Sequence, residues 1–165
     1  MSNKAFYSIV NEGVLLGDMN GSVLSTTPIS ATGATLTCTK DTHAGRTIVI
    51  SAVAGCAVTL PAATGTGSVY RIIIGSTITS NSTTIKVANT TDVMSGRAFV
   101  ISDNTAAVLG FATGATSDTI TLNGTTLGGL IGDHIEIIDA IAGTFAVRVF
   151  TAATGTEATP FSATV

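Results

Sequence analysis

The side chains best suited to chemistry are few: His43, His134, Cys38, Cys56 and ten acids in 165 residues. A metal site requires several N, O or S ligands converging on one point. Neither the histidines nor the cysteines stand at a recognised ligand spacing, and the nearest clusters are Asp41-Thr42-His43 and Asp133-His134. The first reads as a hairpin turn, where Asp is favoured for its side-chain bond to the backbone. A structural or solvent-facing role therefore outweighs ligation. Serines are plentiful enough for a Ser–His–Asp triad, but no Gly-x-Ser-x-Gly elbow occurs. Phosphate cradles fail as well, since Gly65-Thr66-Gly67 lacks a third glycine and no Gly-Lys-Ser/Thr exists. Nothing marks two of the acids as a convergent pair for glycoside hydrolysis. No catalytic residue, metal, cofactor or small-molecule substrate is expected.

The elements that would position these residues are short strands. From Ala34 onward Thr, Val and Ile are frequent and helix formers scarce, which suits a pleated, half-buried surface. Strand character runs over Thr35–Lys40, Arg46–Val53, Ala57–Leu60, Val69–Ile74, Thr83–Val87, Ala98–Ser102, Ala106–Phe111, Asp118–Leu122, Asp133–Ile138 and Thr144–Phe150. Turn-forming clusters such as Ser80-Asn81-Ser82 and Asn123-Gly124 separate them, a spacing typical of an all-β sandwich or barrel. Alternation assigns Phe145, Val147 and Val149, Ile120 and Leu122, Ile135 and Ile137, and Ile85 and Val87 to the core. Ile48-Val49-Ile50 lacks alternation, as in a strand covered on both faces. Thr91–Ala98 is the best helical candidate, and Gly96 weakens it.

If the first three strands form a meander, one whole strand separates Cys38 from Cys56. The gap is then about 9.6 Å, beyond the roughly 7 Å reach of a disulfide. Two buried, reduced thiols are expected. Ala-Thr-Gly recurs at Ala31, Ala63, Ala112 and Ala153, at spacings too irregular for a solenoid. Glycines supplying positive-φ turns account for it.

Charge is scarce: 7 Lys+Arg and 10 Asp+Glu make 10% of the chain, against roughly 25% in an ordinary soluble domain. A hydrophobic content of 45% excludes a disordered chain, and a net charge of −3 disfavours nucleic acid. No apolar run approaches the roughly 20 residues of a spanning helix, so no membrane is expected. With so few charges, either the 30 threonines help solvate the surface or other subunits cover it; both are expected.

Residues 1–33 differ from the body at 34–165. Asn, Gly, Asp and Pro break them too often for a long element, yet Val14-Leu15-Leu16, Met19, Leu24 and Ile29 are too apolar for a free tail. An extended N-terminal arm lying on a partner or on its own body is expected. The stretch 151–165 is a second extended segment, with Pro160-Phe161 as its anchor.

Several whole segments carry a family likeness: Thr42-His43-Ala44-Gly45-Arg46-Thr47-Ile48-Val49, Val58-Thr59-Leu60-Pro61-Ala62-Ala63-Thr64-Gly65-Thr66-Gly67, Asp118-Thr119-Ile120-Thr121-Leu122-Asn123-Gly124-Thr125-Thr126 and Gly155-Thr156-Glu157-Ala158-Thr159-Pro160-Phe161. Over roughly residues 35–165 the chain resembles the small head decoration (cement) proteins of tailed bacteriophages, including phages of cyanobacteria and marine bacteria. The resemblance implies a non-enzymatic viral structural protein, made in the host cytoplasm. It would sit on the outer surface of the virion capsid, bound to the major capsid protein, often as a homotrimer at local threefold positions. From the strand pattern itself, the body is expected to be an antiparallel β-sandwich or barrel. Phe6, Tyr7, Val14, Leu15, Leu16 and Met19, with Leu24 and Ile29 behind them, are the expected capsid contacts. A trimeric tail-fibre or receptor-binding module shares the Thr-rich all-β character, and exposed aromatics for glycans would favour it. A virion enzyme would need a cleft lined by acids or a histidine pair.

Overall fold

The structure, a computed structural model, describes residues 27–105 and 107–165. Twelve strands and one helical turn follow in order: β1 (Ile29–Ala31), β2 (Thr35–Thr37), α1 (Lys40–His43), β3 (Thr47–Ile50), β4 (Ala57–Thr59), β5 (Val69–Ile74), β6 (Thr83–Lys86), β7 (Val93–Ser102), β8 (Val108–Ala112), β9 (Thr119–Leu122), β10 (His134–Ile141), β11 (Thr144–Ala153) and β12 (Phe161–Ser162). They build a seven-stranded sheet, β1-β3-β5-β10-β11-β7-β8, and a five-stranded sheet, β12-β9-β6-β4-β2. One hydrophobic core collects the inward residues of both sheets, including Ile48, Ile72, Phe145 and Val149 from the larger and Val58, Ile85, Ile120 and Leu122 from the smaller. The body is all-β and sandwich-like. Among the described residues neither sheet closes on itself into a barrel.

The expected antiparallel arrangement gives way to two mixed sheets. From β1 to β6 the chain alternates between them, and β1, β3 and β5 are mutually parallel, as are β2, β4 and β6. This is a wound coil in which each turn lays one strand in each sheet. Its turns are unequal, since Ile29 stands level with Ile48 and Ile48 with Ile72. That inequality hides the coil from a search for a fixed repeat. The later strands close the body antiparallel: β10 on β5, β11 on β10, β8 on β7, β9 on β6 and β12 on β9. The exception is the ten-residue parallel pair of β7 with β11.

The inward assignments of Phe145, Val147, Val149, Ile135, Ile137, Ile120, Leu122, Ile85 and Val87 match the structure, all being buried. Ile48 and Ile50 are buried, but Val49 between them is only half covered, so β3 has one open face. Of the stretch 91–98, residues 93–98 form the start of β7 and none is helical. The expected turn at Asp41–His43 is instead α1, capped by Thr39, whose hydroxyl accepts from Thr42 N. Its His43 is buried, and Nδ1 accepts from Thr39 N at 3.0 Å. Burial lowers the His43 pKa, a neutral, structural state.

The meander is also corrected. β2 pairs directly with β4 in parallel, while β3 lies in the other sheet. Cys38 lies just past the end of β2 and Cys56 just before the start of β4, so the thiols sit at opposite ends of the pair. Both are free and buried. Burial pushes the Cys38 thiol up to about 12, with a lesser charge contribution from Cys56, whose own pKa burial also raises. Since the thiolate is the reactive form, native protein should give no colour with a thiol reagent at pH 8 and two equivalents after unfolding. One fast-reacting thiol in the folded state would contradict this burial.

Of the four Ala-Thr-Gly sites, Gly65 and Gly155 adopt positive φ, as the turn account expects; Gly33 and Gly114 do not. Pro160 and Phe161 are buried, and β12 pairs on β9, so Pro160-Phe161 does anchor the last segment. Residues 151–153, assigned to that segment by sequence, finish β11.

Candidate interaction face

The outer faces of the two sheets are chemically unlike. On the smaller sheet, register places Thr35, Ala57, Thr84 and Thr121 in one row and Thr37, Thr59, Lys86 and Thr119 in the next. Hydroxyls dominate this face. Thr119, expected outward, is covered by the C-terminal residues, and its hydroxyl accepts from Thr164 Oγ1 at 2.9 Å. This hydroxyl face fits the expectation that threonine helps solvate the surface.

The larger sheet presents something else. Across β8, β7, β11, β10 and β5, register aligns Ala112, Arg97, Arg148, Glu136 and Arg71 in one row. The adjacent row runs Gly110, Phe99, Phe150, His134 and Ile73. Beyond it, Ile101 stands opposite Val108. Phe99 and Phe150 stack with ring centroids 5.3 Å apart and planes 14° from parallel. Phe99, Phe150, Ile101 and Val108 are 40%, 48%, 57% and 61% exposed. Four large apolar side chains on three adjacent strands make a contiguous patch, the kind of surface that marks an interaction site.

Charge on this face is unbalanced. Glu136 reaches Arg71 at 3.6 Å and Arg148 at 3.7 Å, while Arg97 forms no ion pair among the described residues. Arg97 and Arg148 are directly opposite in the parallel register, an arrangement that like charges disfavour. A hollow of about 510 Å³ opens between them, lined by Ser95, Arg97, Phe99, Glu136, Ile138 and Phe150 among others.

The acids offer no second centre. Asp139, Asp133, Asp118 and Asp92 are buried, and each carboxylate accepts backbone N–H groups: Asp139 from Thr64, Gly65 and Thr66, Asp133 from Gly129, Leu130 and Ala152, Asp118 from Thr164 and Val165, and Asp92 from Ala63. They act as latches for loops. Asp133 is thereby committed away from His134, which faces outward on β10. Among the described residues no group of three or more His, Cys, Asp or Glu side chains could hold a metal ion, and no helix is long and apolar enough to cross a membrane.

Of the capsid contacts expected from sequence, Phe6, Tyr7, Val14, Leu15, Leu16, Met19 and Leu24 lie outside the described residues. Ile29 lies within them, and it is a β1 residue, level with Ile48 and packed against the core. The unpaired edge of β3 takes up Ile29–Ala31, so these residues belong to the body rather than to an arm. Sequence reasoning missed the Arg–Phe face. Its signal was present in Arg97-Ala98-Phe99 and Arg148-Val149-Phe150, two matching Arg-x-Phe triplets, but only the β7–β11 register shows that they are neighbours. Comparisons with models of protein families, with curated proteins and with solved structures find no match to this chain.

Proposed function

We propose that the protein is a non-enzymatic decoration, or cement, protein that binds the outer surface of an assembled phage head and stabilises it, as a homotrimer at local threefold positions. The observation that carries this reading is the exposed Phe99–Phe150–Ile101–Val108 patch on an otherwise charge-poor body. A protein built to be covered keeps such a surface; one built to stay solitary would carry charge there. The family likeness of residues 35–165 supplies the identity of the covering partner, the major capsid protein. Attachment at many equivalent positions multiplies weak single contacts, so affinity favours the assembled lattice over its free subunits. Binding energy then opposes the pressure of packaged DNA.

The apolar N-terminal residues Phe6, Tyr7, Val14, Leu15, Leu16 and Met19 extend this contact across a seam between shell subunits. Deleting residues 2–20 should abolish binding to expanded heads in a co-sedimentation assay while leaving the β circular-dichroism spectrum intact. Unfolding of the truncated protein would mean instead that these residues belong to its own core. A full-length protein that stays monomeric and ignores mature heads would remove the whole reading.

One observation favours a second reading. The stacked, exposed Phe99–Phe150 pair beside two arginines is the aromatic surface expected of a receptor-binding module. Copy number separates the two, because a head coat requires hundreds of copies per virion and a fibre tens at most.

A further inference from the structure

We infer that the outer face of the seven-stranded sheet binds an acidic, apolar protein segment in extended conformation, with a carboxylate between Arg97 and Arg148 and an apolar side chain against the Phe99–Phe150 stack. This deepens the adhesive reading by specifying the partner's chemistry, and it requires no particular shell.

Charge selects the occupant. Three guanidiniums share the row with a single carboxylate, on a chain whose net charge is −3. Glu136 is engaged by Arg71 and Arg148, which leaves Arg97 beside a cation and without an ion pair among the described residues. An incoming carboxylate would relieve that repulsion and can form paired N–H···O bonds with a guanidinium. A second copy of the same face would do the opposite, bringing another cationic excess against the first. The apolar half of the face is aliphatic as well as aromatic, continuing from the Phe pair to Ile101 and Val108, with Ile138 on the far side of the hollow. Aliphatic flanks suit protein side chains better than sugar rings, which stack on aromatic faces alone.

Geometry sets the spacing. Arg97 and Phe99 are two residues apart on one face of β7, as are Arg148 and Phe150 on β11, a rise of about 6.6 Å. A partner strand meets both rows when an acid and an apolar residue alternate on one of its faces. The hollow left between the Arg97 and Arg148 side chains has room for such a carboxylate.

The test uses peptides rather than heads, so failure of the shell assignment does not affect it. The probe is a twelve-residue peptide repeating Glu-Thr-Phe-Thr, with Lys-Thr-Phe-Thr as control, titrated into isotopically labelled full-length protein. The expected result is saturable shifts at Arg97, Phe99, Arg148 and Phe150, binding that weakens with salt, and no comparable shifts with the lysine peptide. Arg97→Gln/Arg148→Gln, both on exposed positions, should weaken binding by at least about tenfold while the melting temperature changes little, since only the exposed Arg148–Glu136 pair is lost and Glu136 keeps Arg71. Phe99→Ala should weaken it with the charges intact. Equal binding of both peptides, unchanged affinity in the double variant, or shifts confined to another surface would overturn the inference. So would tighter binding of a dT oligonucleotide or of a polyuronate at the same residues. A face-to-face dimer that the double variant leaves unchanged would do so as well.

Discussion

Asp139→Ala should lower the stability of the body by about 3 kcal/mol, and its melting temperature by about 6–12 °C, in thermal and urea denaturation. Asp139 is 3% exposed on β10 and holds the connection that carries the coil from β4 to β5. Oδ1 accepts from Thr64 N at 3.0 Å and Gly65 N at 2.7 Å; Oδ2 accepts from Thr66 N at 3.0 Å and Thr66 Oγ1 at 2.7 Å. Removing the carboxylate strips three backbone donors of their acceptor at once. The loop residues are exposed, so water recovers part of the loss, which keeps the figure below the sum of three buried bonds. Asp92, accepting from Ala63 N at 2.8 Å, holds the same loop and limits the damage to local opening. Asp139→Asn should fall between wild type and Asp139→Ala, because the amide keeps one acceptor and turns a donor toward the second set of N–H groups.

Acid should narrow that difference. Burial alone would raise the Asp139 pKa, but the bonds from Thr66, Gly65 and Thr64 outweigh it and hold the carboxyl below its ordinary value. Asp118 behaves alike: burial raises it, and the bonds from Thr164, Thr119 and Val165 bring it below the ordinary value. A depressed carboxyl stabilises the fold fully above its unfolded pKa of about 4 and loses that contribution as pH falls through the folded value. Asp133 has the opposite sign, since burial dominates its three backbone donors and raises its pKa, so protonation there relieves a cost. Stability measured from pH 7 downward should slip modestly below about pH 6.5, where the unfolded chain protonates His43 and the folded chain resists it. It should fall more steeply below about pH 4, with the Asp139→Asn curve converging on wild type in that second phase. Parallel curves down to pH 2 would mean that the Asp139 charge contributes nothing.

How much of this was legible without coordinates depends on the range of the interaction involved. Period-two alternation is local, so the buried sides of β6, β9, β10 and β11 could be read directly from Ile85, Ile120, Ile135 and Val147. Which strand lies beside which is not local. The meander failed because β2 and β3 enter different sheets, joined by α1 with its buried His43. Composition alone makes Asp41-Thr42-His43 look like a turn, and nothing nearby signals that His43 Nδ1 would take the Thr39 N–H. The interaction face was hidden for a related reason. Arg97 and Arg148 are far apart in sequence, and their adjacency exists only through a parallel pairing whose intervening chain includes β8, β9 and β10. Exposed phenylalanines are also indistinguishable from core ones by type; alternation with Val147 and Val149 turns Phe150 outward, but only register brings Phe99 beside it.

That same pairing depends on one glycine, and Gly96→Ala should be among the most damaging small substitutions in the body. Gly96 faces Val147 across the β7–β11 ladder, and a Cβ there would lie 1.8 Å from the Val147 carbonyl oxygen and 2.7 Å from its carbon. Both are backbone atoms in the middle of the longest strand pair, so no side-chain rotation relieves the clash. The strands must separate locally or slip, and a one-residue slip would exchange the core and solvent faces of β7. A loss of about 4 kcal/mol or more is expected, within the range that marks severe strain in a packed region. Gly110 provides the control: it sits on edge strand β8 beside Phe99, its φ is not positive, and a Cβ there meets nothing within 4 Å. Gly110→Ala should therefore stay within about 0.5 kcal/mol of wild type. Because Gly96 also sets how closely β7 approaches β11, any folded fraction of Gly96→Ala should lose the Phe99–Phe150 ring-current shifts while Gly110→Ala keeps them. A Gly96→Ala protein that melts like wild type with its ring-current shifts intact would show that β7 and β11 do not pair in this register, and the Arg–Phe face would lose its structural basis with them.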